Sequence, residues 1–126
     1  MIKLPCTVYN IKLVQEFIAE TRKRISDRTD IVFTEKAKAE LEELSLGYDI
    51  TVSDIEHAIL NLSTDNYYRG IDPSGKADYN VCAFCACIGE DDLEIYLKYG
   101  LEAEGLQILI FSNQIPKYQM DRPFKN

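Results

Sequence analysis

Polar and apolar positions alternate strictly through residues 93–101. The odd positions are apolar or aromatic, and the even positions hold Glu94, Tyr96, Lys98 and Gly100. Strict alternation of this length is typical of a β-strand with one buried face. The pattern therefore predicts a strand whose other face presents a carboxylate, a phenol and an ammonium group in a row.

The first half of the chain has apolar positions spaced three and four residues apart, which predicts amphipathic helices. A residue that can cap a helix precedes each of them, and Thr51 and Asp54 have the spacing of a capping box. The predicted helices are residues 11–25 after Asn10, 35–46 between Thr34 and Gly47, and 52–62 after Thr51, with a short strand at residues 31–33.

The second half of the chain has the pattern of strands joined by turns. After a turn-rich segment at residues 72–75, strands are predicted at 79–88, 93–101 and 106–112, followed by an irregular tail from residue 116. Helices first and strands later indicate one α+β domain, with N-terminal helices packed on a C-terminal antiparallel sheet.

Turn lengths predict which side chains are neighbours on the sheet, because the register of a hairpin follows from its loop. The predicted neighbours are Cys85 and Phe111 for Tyr96, and Ala83 and Leu109 for Lys98. A tyrosine or lysine among small and apolar groups can have a shifted pKa that suits acid–base chemistry. The alternative is an ordinary solvated outer face.

The chain has 126 residues. Its net charge of −7 argues against general binding of polyanions. The charge is uneven, because residues 35–66 hold eight acidic and two basic residues. The basic cluster at residues 22–24 either complements the dipole at the end of the first helix or contacts RNA phosphates. No segment is apolar over the ~18 residues of a membrane span, and the N-terminus lacks a secretory signal pattern, so we expect a cytoplasmic protein without membrane contact.

Cys82, Cys85 and Cys87 have a spacing that resembles a metal motif. A strand, however, would direct Cys82 to one face and the other two to the opposite face. A zinc site would then need a loop in this region and a fourth ligand from Cys6 or His57. We therefore expect free thiols within the sheet, no metal and no cofactor. His57, the only histidine, is expected to be solvated on the third helix, with direct catalysis as the alternative.

Several short motifs occur in a fixed order between residues 47 and 125. They are Ile59-Leu60-Asn61-Leu62, Asp65-Asn66-Tyr67-Tyr68-Arg69-Gly70, Glu94-Ile95-Tyr96-Leu97-Lys98, a strand ending in Phe111-Ser112, and Asp121-Arg122-Pro123-Phe124-Lys125. In this order and spacing they resemble the MqsR-type toxins of bacterial type II toxin–antitoxin systems, whose fold is similar to that of the RelE ribonucleases.

The resemblance implies metal-independent cleavage of mRNA and an antitoxin protein as partner. It places Tyr96 at the family's strand tyrosine, Lys98 at the lysine two residues further on, and Arg69 at the position of a functional lysine. Attack of a ribose 2′-OH on the adjacent phosphate needs a base, an acid and a cation. The candidate substrate-binding residues are Tyr67, Tyr68, Glu94 and Gln114.

The chain also departs from the family. It reads Ser112-Asn113-Gln114 where many relatives have Ser-Phe-His, so that imidazole is absent. Arg69 can bind phosphate through two hydrogen bonds but is a poor general acid, because the pKa of arginine stays above ~12. Two functions therefore remain. One is an mRNA-cleaving toxin, and the other is a catalytically silent binding module of the same fold that acts through protein–protein contacts.

Overall fold

The computed structural model describes residues 11–71 and 78–125. Its helices are α1 (Ile11–Ser26), α2 (Glu35–Tyr48) and α3 (Val52–Leu60), and a 3₁₀ turn lies at Thr64–Asn66. Its strands are β1 (Ile31–Phe33), β2 (Tyr67–Gly70), β3 (Tyr79–Ile88), β4 (Leu93–Glu102) and β5 (Ile108–Gln114). The predicted α+β class, with helices first and most strands later, is confirmed.

The described strands form one sheet in the order β1-β5-β4-β3-β2. The prediction of an antiparallel sheet holds for β2 to β5, but it is wrong at one edge, where β1 pairs with β5 in parallel. Most of the chain lies between β1 and β5, and a long connection of this kind allows parallel pairing, which a tight hairpin does not. The sheet is therefore mixed.

The predicted capping residues fix the starts of α2 and α3, but not the end of α2. The Thr34 hydroxyl accepts a hydrogen bond from the N–H of Ala37, and Thr51 and Asp54 form the predicted capping box. Gly47, however, does not end α2. The helix continues to Tyr48, and Asp49 adopts the left-handed conformation (φ 59°), which aspartate tolerates better than most residues. The predicted cap Asn10 and the turn at residues 72–75 lie outside the described residues.

One face of the sheet is packed against helices and forms the core. Ile95 and Leu97 of β4 are fully buried there, whereas Tyr96 and Lys98 are only half-buried and lie on the opposite, outer face. The predicted division of this strand into a core face and a polar face is confirmed. The main buried core residues from the helices are Val14, Phe17, Ile18, Ala37, Leu44, Ile55 and Ile59.

Two arginines of the basic cluster attach α1 to its neighbours. The guanidinium group of Arg24 is nearly buried and donates hydrogen bonds to Glu20 (2.7 Å) and to the carbonyl oxygens of Glu102 (3.0 Å) and Gln107 (3.1 Å). Arg22 donates to the carbonyl oxygens of residues 60 and 62 at the end of α3. These guanidinium groups therefore connect α1 to the sheet and to α3.

Candidate functional site

A cavity of about 580 Å³ lies on the outer face of the sheet, within the size range of ligand sites in proteins. β4 contributes Tyr96 and Lys98, β5 contributes Phe111, Ser112 and Gln114, and β2 contributes Tyr68. The remaining lining residues are Thr34 and Lys36 at the start of α2 and, from the segment after β5, Pro116, Lys117, Tyr118 and Met120. The polar row predicted from the alternation of β4 thus lies in a concave site.

The pairing of β4 with its neighbours sets the floor of this cavity. The predicted register between β3 and β4 is confirmed, with Cys85 beside Tyr96. The predicted register between β4 and β5 is wrong for two reasons: the loop before β5 is longer than predicted, so that the strand begins at Ile108, and the pairing shifts by one more residue between Lys98 and Tyr99. Tyr96 therefore lies opposite Gln114, which the sequence had not placed beside it, and Lys98 lies opposite Ser112.

A bulge in β5 adds a second residue to the floor. The pairing shifts between Lys98 and Tyr99, so Phe111 is the extra residue and both Phe111 and Ser112 line the cavity. The ring of Phe111 lies over Gly100, where a Cβ atom would come within 2.9 Å of it. The glycine in the polar row of β4 thus leaves space for an aromatic ring.

A second bulge, in β2, decides where the aromatic-rich segment points. Tyr67 pairs with Phe84 and Arg69 with Ala83, which leaves Tyr68 as the extra residue. Tyr67 is consequently buried in the core, where its hydroxyl donates to the carbonyl oxygen of Gly70 (2.9 Å). Tyr68 lines the cavity, and the Arg69 guanidinium lies 4.9 Å from the centre of the Tyr68 ring.

Small side chains on β3 allow the two sides of the site to meet. β3 separates β2 from β4, so residues on those two strands are about 10 Å apart at the backbone. Its outer face carries Ala83 and Cys85 at this level. The rings of Tyr68 and Tyr96 therefore contact each other across β3, edge to face, with centroids 6.2 Å apart. Arg69 does not line the cavity, but its guanidinium group contacts the Tyr68 ring, which in turn contacts Tyr96.

The cavity is cationic although the protein is acidic overall. Lys36, Lys98 and Lys117 line it, and no aspartate or glutamate does so among the described residues. Lys36 makes an ion pair with Glu40 (3.1 Å), whose carboxylate also accepts a hydrogen bond from Ser112 (3.0 Å). Lys98 is half-buried and forms no ion pair in the part of the chain that the structure describes. An anion in the cavity would therefore meet uncompensated positive charge.

The other candidate residues lie outside the cavity. Tyr67 is in the core, and Glu94 is exposed on β4, near Cys85. Burial, and then the hydrogen bond and negative charge of Glu94, raise the pKa of the Cys85 thiol to about 12. His57 is exposed on α3, in a cleft between this helix and the turn that joins β3 to β4, as expected for a solvated side chain.

The cysteines alternate between the two faces of β3 as predicted. Cys82 is buried on the core side, where desolvation raises the pKa of its thiol strongly, and Cys85 and Cys87 lie on the outer face. Across residues 11–71 and 78–125, no group of three histidine, cysteine, aspartate or glutamate side chains is arranged to hold a metal ion. Cys6 lies outside those ranges. No helix within them is long and apolar enough to cross a membrane.

Sequence patterns alone did not indicate half of the cavity wall. Lys36 lies in the first turn of a helix, and Lys117, Tyr118 and Met120 lie in a segment that reads as an irregular tail. Their common position follows from tertiary structure, and no local period marks it. The only signal was compositional, since the tail is rich in aromatic and basic residues for an acidic chain.

Together, fold and site define an α+β protein with an aromatic, cationic cavity on the exposed face of its sheet. No family model matches the chain, and no curated protein and no solved structure matches it significantly. The resemblance to MqsR-type toxins therefore rests on the motifs themselves.

Proposed function

We propose that the protein is a metal-independent endoribonuclease that cleaves mRNA, the toxin of a type II toxin–antitoxin pair whose antitoxin neutralises it. The observation that carries the proposal is the cavity, in which the phenol of Tyr96 and the ammonium group of Lys98 lie on one face. Gln114 lies directly opposite Tyr96. Lys36, Lys98 and Lys117 line the same cavity and supply positive charge near which a phosphate could bind.

The chemistry proposed is attack of a ribose 2′-OH on the adjacent phosphate, which expels the 5′-oxygen of the next nucleotide. Tyr96 donates its phenolic proton to the departing 5′-oxygen, the proton of the 2′-OH passes to water, and Lys98 stabilises the negative charge that develops on the phosphorane. Arg69 binds a neighbouring phosphate, since guanidinium groups suit that geometry. The amide of Gln114 can donate to or accept from the sugar or base beside Tyr96.

Purified protein incubated with a single-stranded oligoribonucleotide and a chelator tests this proposal. We expect cleavage by the wild type and its loss in Tyr96→Phe, which removes one hydroxyl from a half-buried position. Lys98→Ala and Arg69→Ala should each slow cleavage by about 10²- to 10³-fold, as for the loss of one electrostatic group. Tyr48→Phe is the matched control, because Tyr48 is an exposed tyrosine of α2 outside the cavity.

The second candidate function is a catalytically silent binding module. It is favoured by the absence of an imidazole from the cavity, since the only histidine is on α3. Induced expression in a bacterium separates the two, with growth and mRNA integrity followed together. Slower growth with intact mRNA, and no cleavage by the purified wild type, would favour the binding module. Unchanged cleavage by Tyr96→Phe would instead mean that Tyr96 is not a catalytic residue.

A further inference from the structure

One wall of the cavity contains an aromatic ring whose faces are open to water. Tyr118 is 83% exposed although it lines the cavity. It makes no hydrogen bond or ring contact with any other described residue. Large exposed rings at a concave site are typical of binding surfaces rather than of folding.

The segment that carries Tyr118 is held on both sides of it. Met120 is nearly buried, and Pro116, which restricts its own backbone, is half-buried. Further along, the ring of Phe124 packs 5.4 Å from that of Tyr67. The exposed ring is thus presented by a segment whose neighbouring side chains pack on the domain.

The remaining lining suits a nucleic acid strand better than a neutral ligand. Aromatic and apolar groups (Tyr68, Phe111, Met120) provide surfaces for a flat base. Lys98 and Lys117, together with Lys36 beside its ion-pair partner Glu40, provide charge for a backbone. Proteins that bind single strands combine these two features, because every base has a π-face and every nucleotide a phosphate. In a duplex the faces of the bases are covered by stacking, and a cavity of about 580 Å³ is too small to admit a helix.

We propose that Tyr118 is a base-stacking residue: one unpaired nucleobase of single-stranded RNA enters the cavity and stacks on the Tyr118 ring. The phosphates on either side of that nucleotide run along the three lysines. This inference rests on the proposed function for the identity of the strand as RNA, and it adds the requirement for an unpaired base. It places substrate selection on the segment after β5, outside the Tyr96–Lys98 row.

Binding can be tested without cleavage by using a fluorescein-labelled 2′-O-methyl oligoribonucleotide, which lacks the attacking hydroxyl. Fluorescence anisotropy should show that Tyr118→Ala raises the dissociation constant by about 5- to 150-fold, as expected for the loss of one stacked base. Tyr118→Phe retains the ring and should bind within about threefold of the wild type. Tyr48→Ala, which removes an exposed tyrosine elsewhere, is the control and should bind as the wild type does.

The duplex form of the same probe should bind more weakly, and its binding should not depend on Tyr118. Equal binding by Tyr118→Ala and the wild type, or no binding of the single strand at all, would overturn the inference and favour a protein ligand for the cavity. Binding that depends on Tyr118 without cleavage of unmodified RNA would support base stacking and refute the endonuclease. Cleavage of unmodified RNA together with unchanged binding by Tyr118→Ala would support the endonuclease and refute base stacking by Tyr118.

Discussion

Two buried thiols should make the protein less stable in alkali. Cys82 and Cys85 are 0% and 1% exposed. Burial, and then the hydrogen bond and negative charge of Glu94, raise the pKa of Cys85 to about 12, and burial raises the pKa of the Cys82 thiol well above its ordinary value. Both thiols therefore stay protonated in the folded protein at a pH where the thiols of the unfolded chain have ionised.

The sign and size of the effect follow from proton linkage. Near pH 7.5 both thiols are protonated in both states, and their contribution to stability is fully present. Above the ordinary pKa of 9.0 only the unfolded chain releases these protons, so each thiol lowers the free energy of unfolding by about 1.4 kcal/mol per pH unit. At about pH 10.5 the loss is about 2 kcal/mol per thiol, or about 4 kcal/mol for both, against the ~5–15 kcal/mol of a typical domain.

Urea unfolding followed by circular dichroism, with a reducing agent present, measures this loss at the two pH values. From about pH 7.5 to about pH 10.5 the free energy of unfolding of each variant, Cys82→Ala or Cys85→Ala, should fall by about 2 kcal/mol less than that of the wild type. This holds whatever the stability of the variant at neutral pH. Cys87→Ala is the control, because that thiol is exposed on the same strand. The other titratable groups are common to the proteins compared, so the difference in pH dependence between wild type and variant isolates the substituted thiol. Equal pH dependence in the wild type and both buried-thiol variants would refute the reasoning.

Two further substitutions separate folding from the site. Leu97→Ala should lower the free energy of unfolding by about 2–5 kcal/mol through a core cavity, while RNA cleavage per folded molecule, measured at 25 °C, stays unchanged; a lower rate per folded molecule would mean that the two faces of β4 are coupled. Arg24→Met should lower the free energy of unfolding by about 2–3 kcal/mol, because two carbonyl oxygens and the carboxylate of Glu20 lose their hydrogen-bond donor. Lys23→Met, which changes the exposed neighbour, serves as its control, and an equal effect in both would contradict the structural role of Arg24.

The parts of the structure that the sequence predicted are those in which a local pattern decides the outcome. Alternation along β4 assigned Tyr96 and Lys98 to one face, because a strand has no other way to bury Ile95 and Leu97. The capping pair at residues 51 and 54 likewise acts within one turn of chain. An alternating pattern and a hydrogen bond between near neighbours in the chain can both be predicted without knowing the rest of the fold.

The parts that failed depend on single residues inserted into strands. The bulge at Phe111 changes the face of every later residue in β5, and the bulge at Tyr68 sends Tyr67 into the core. An unbroken alternation would have placed these side chains differently, and no residue type marks either position. For the same reason the pairing of Tyr96 with Gln114 became evident only from the folded chain.

The site draws on strands of different stability. Tyr96 and Lys98 belong to β4, which is paired on both sides, whereas Tyr68 and Arg69 belong to the short β2 at an edge of the described sheet. Edge strands open locally at a lower free energy than central ones. Amide protons of β2 should therefore exchange with solvent faster than those of β4, and each opening would remove Arg69 and the Tyr68 ring together. Tyr96 and Lys98 would stay in place for as long as the domain is folded. Tyr68 and Arg69 would be in place only while β2 is paired with β3.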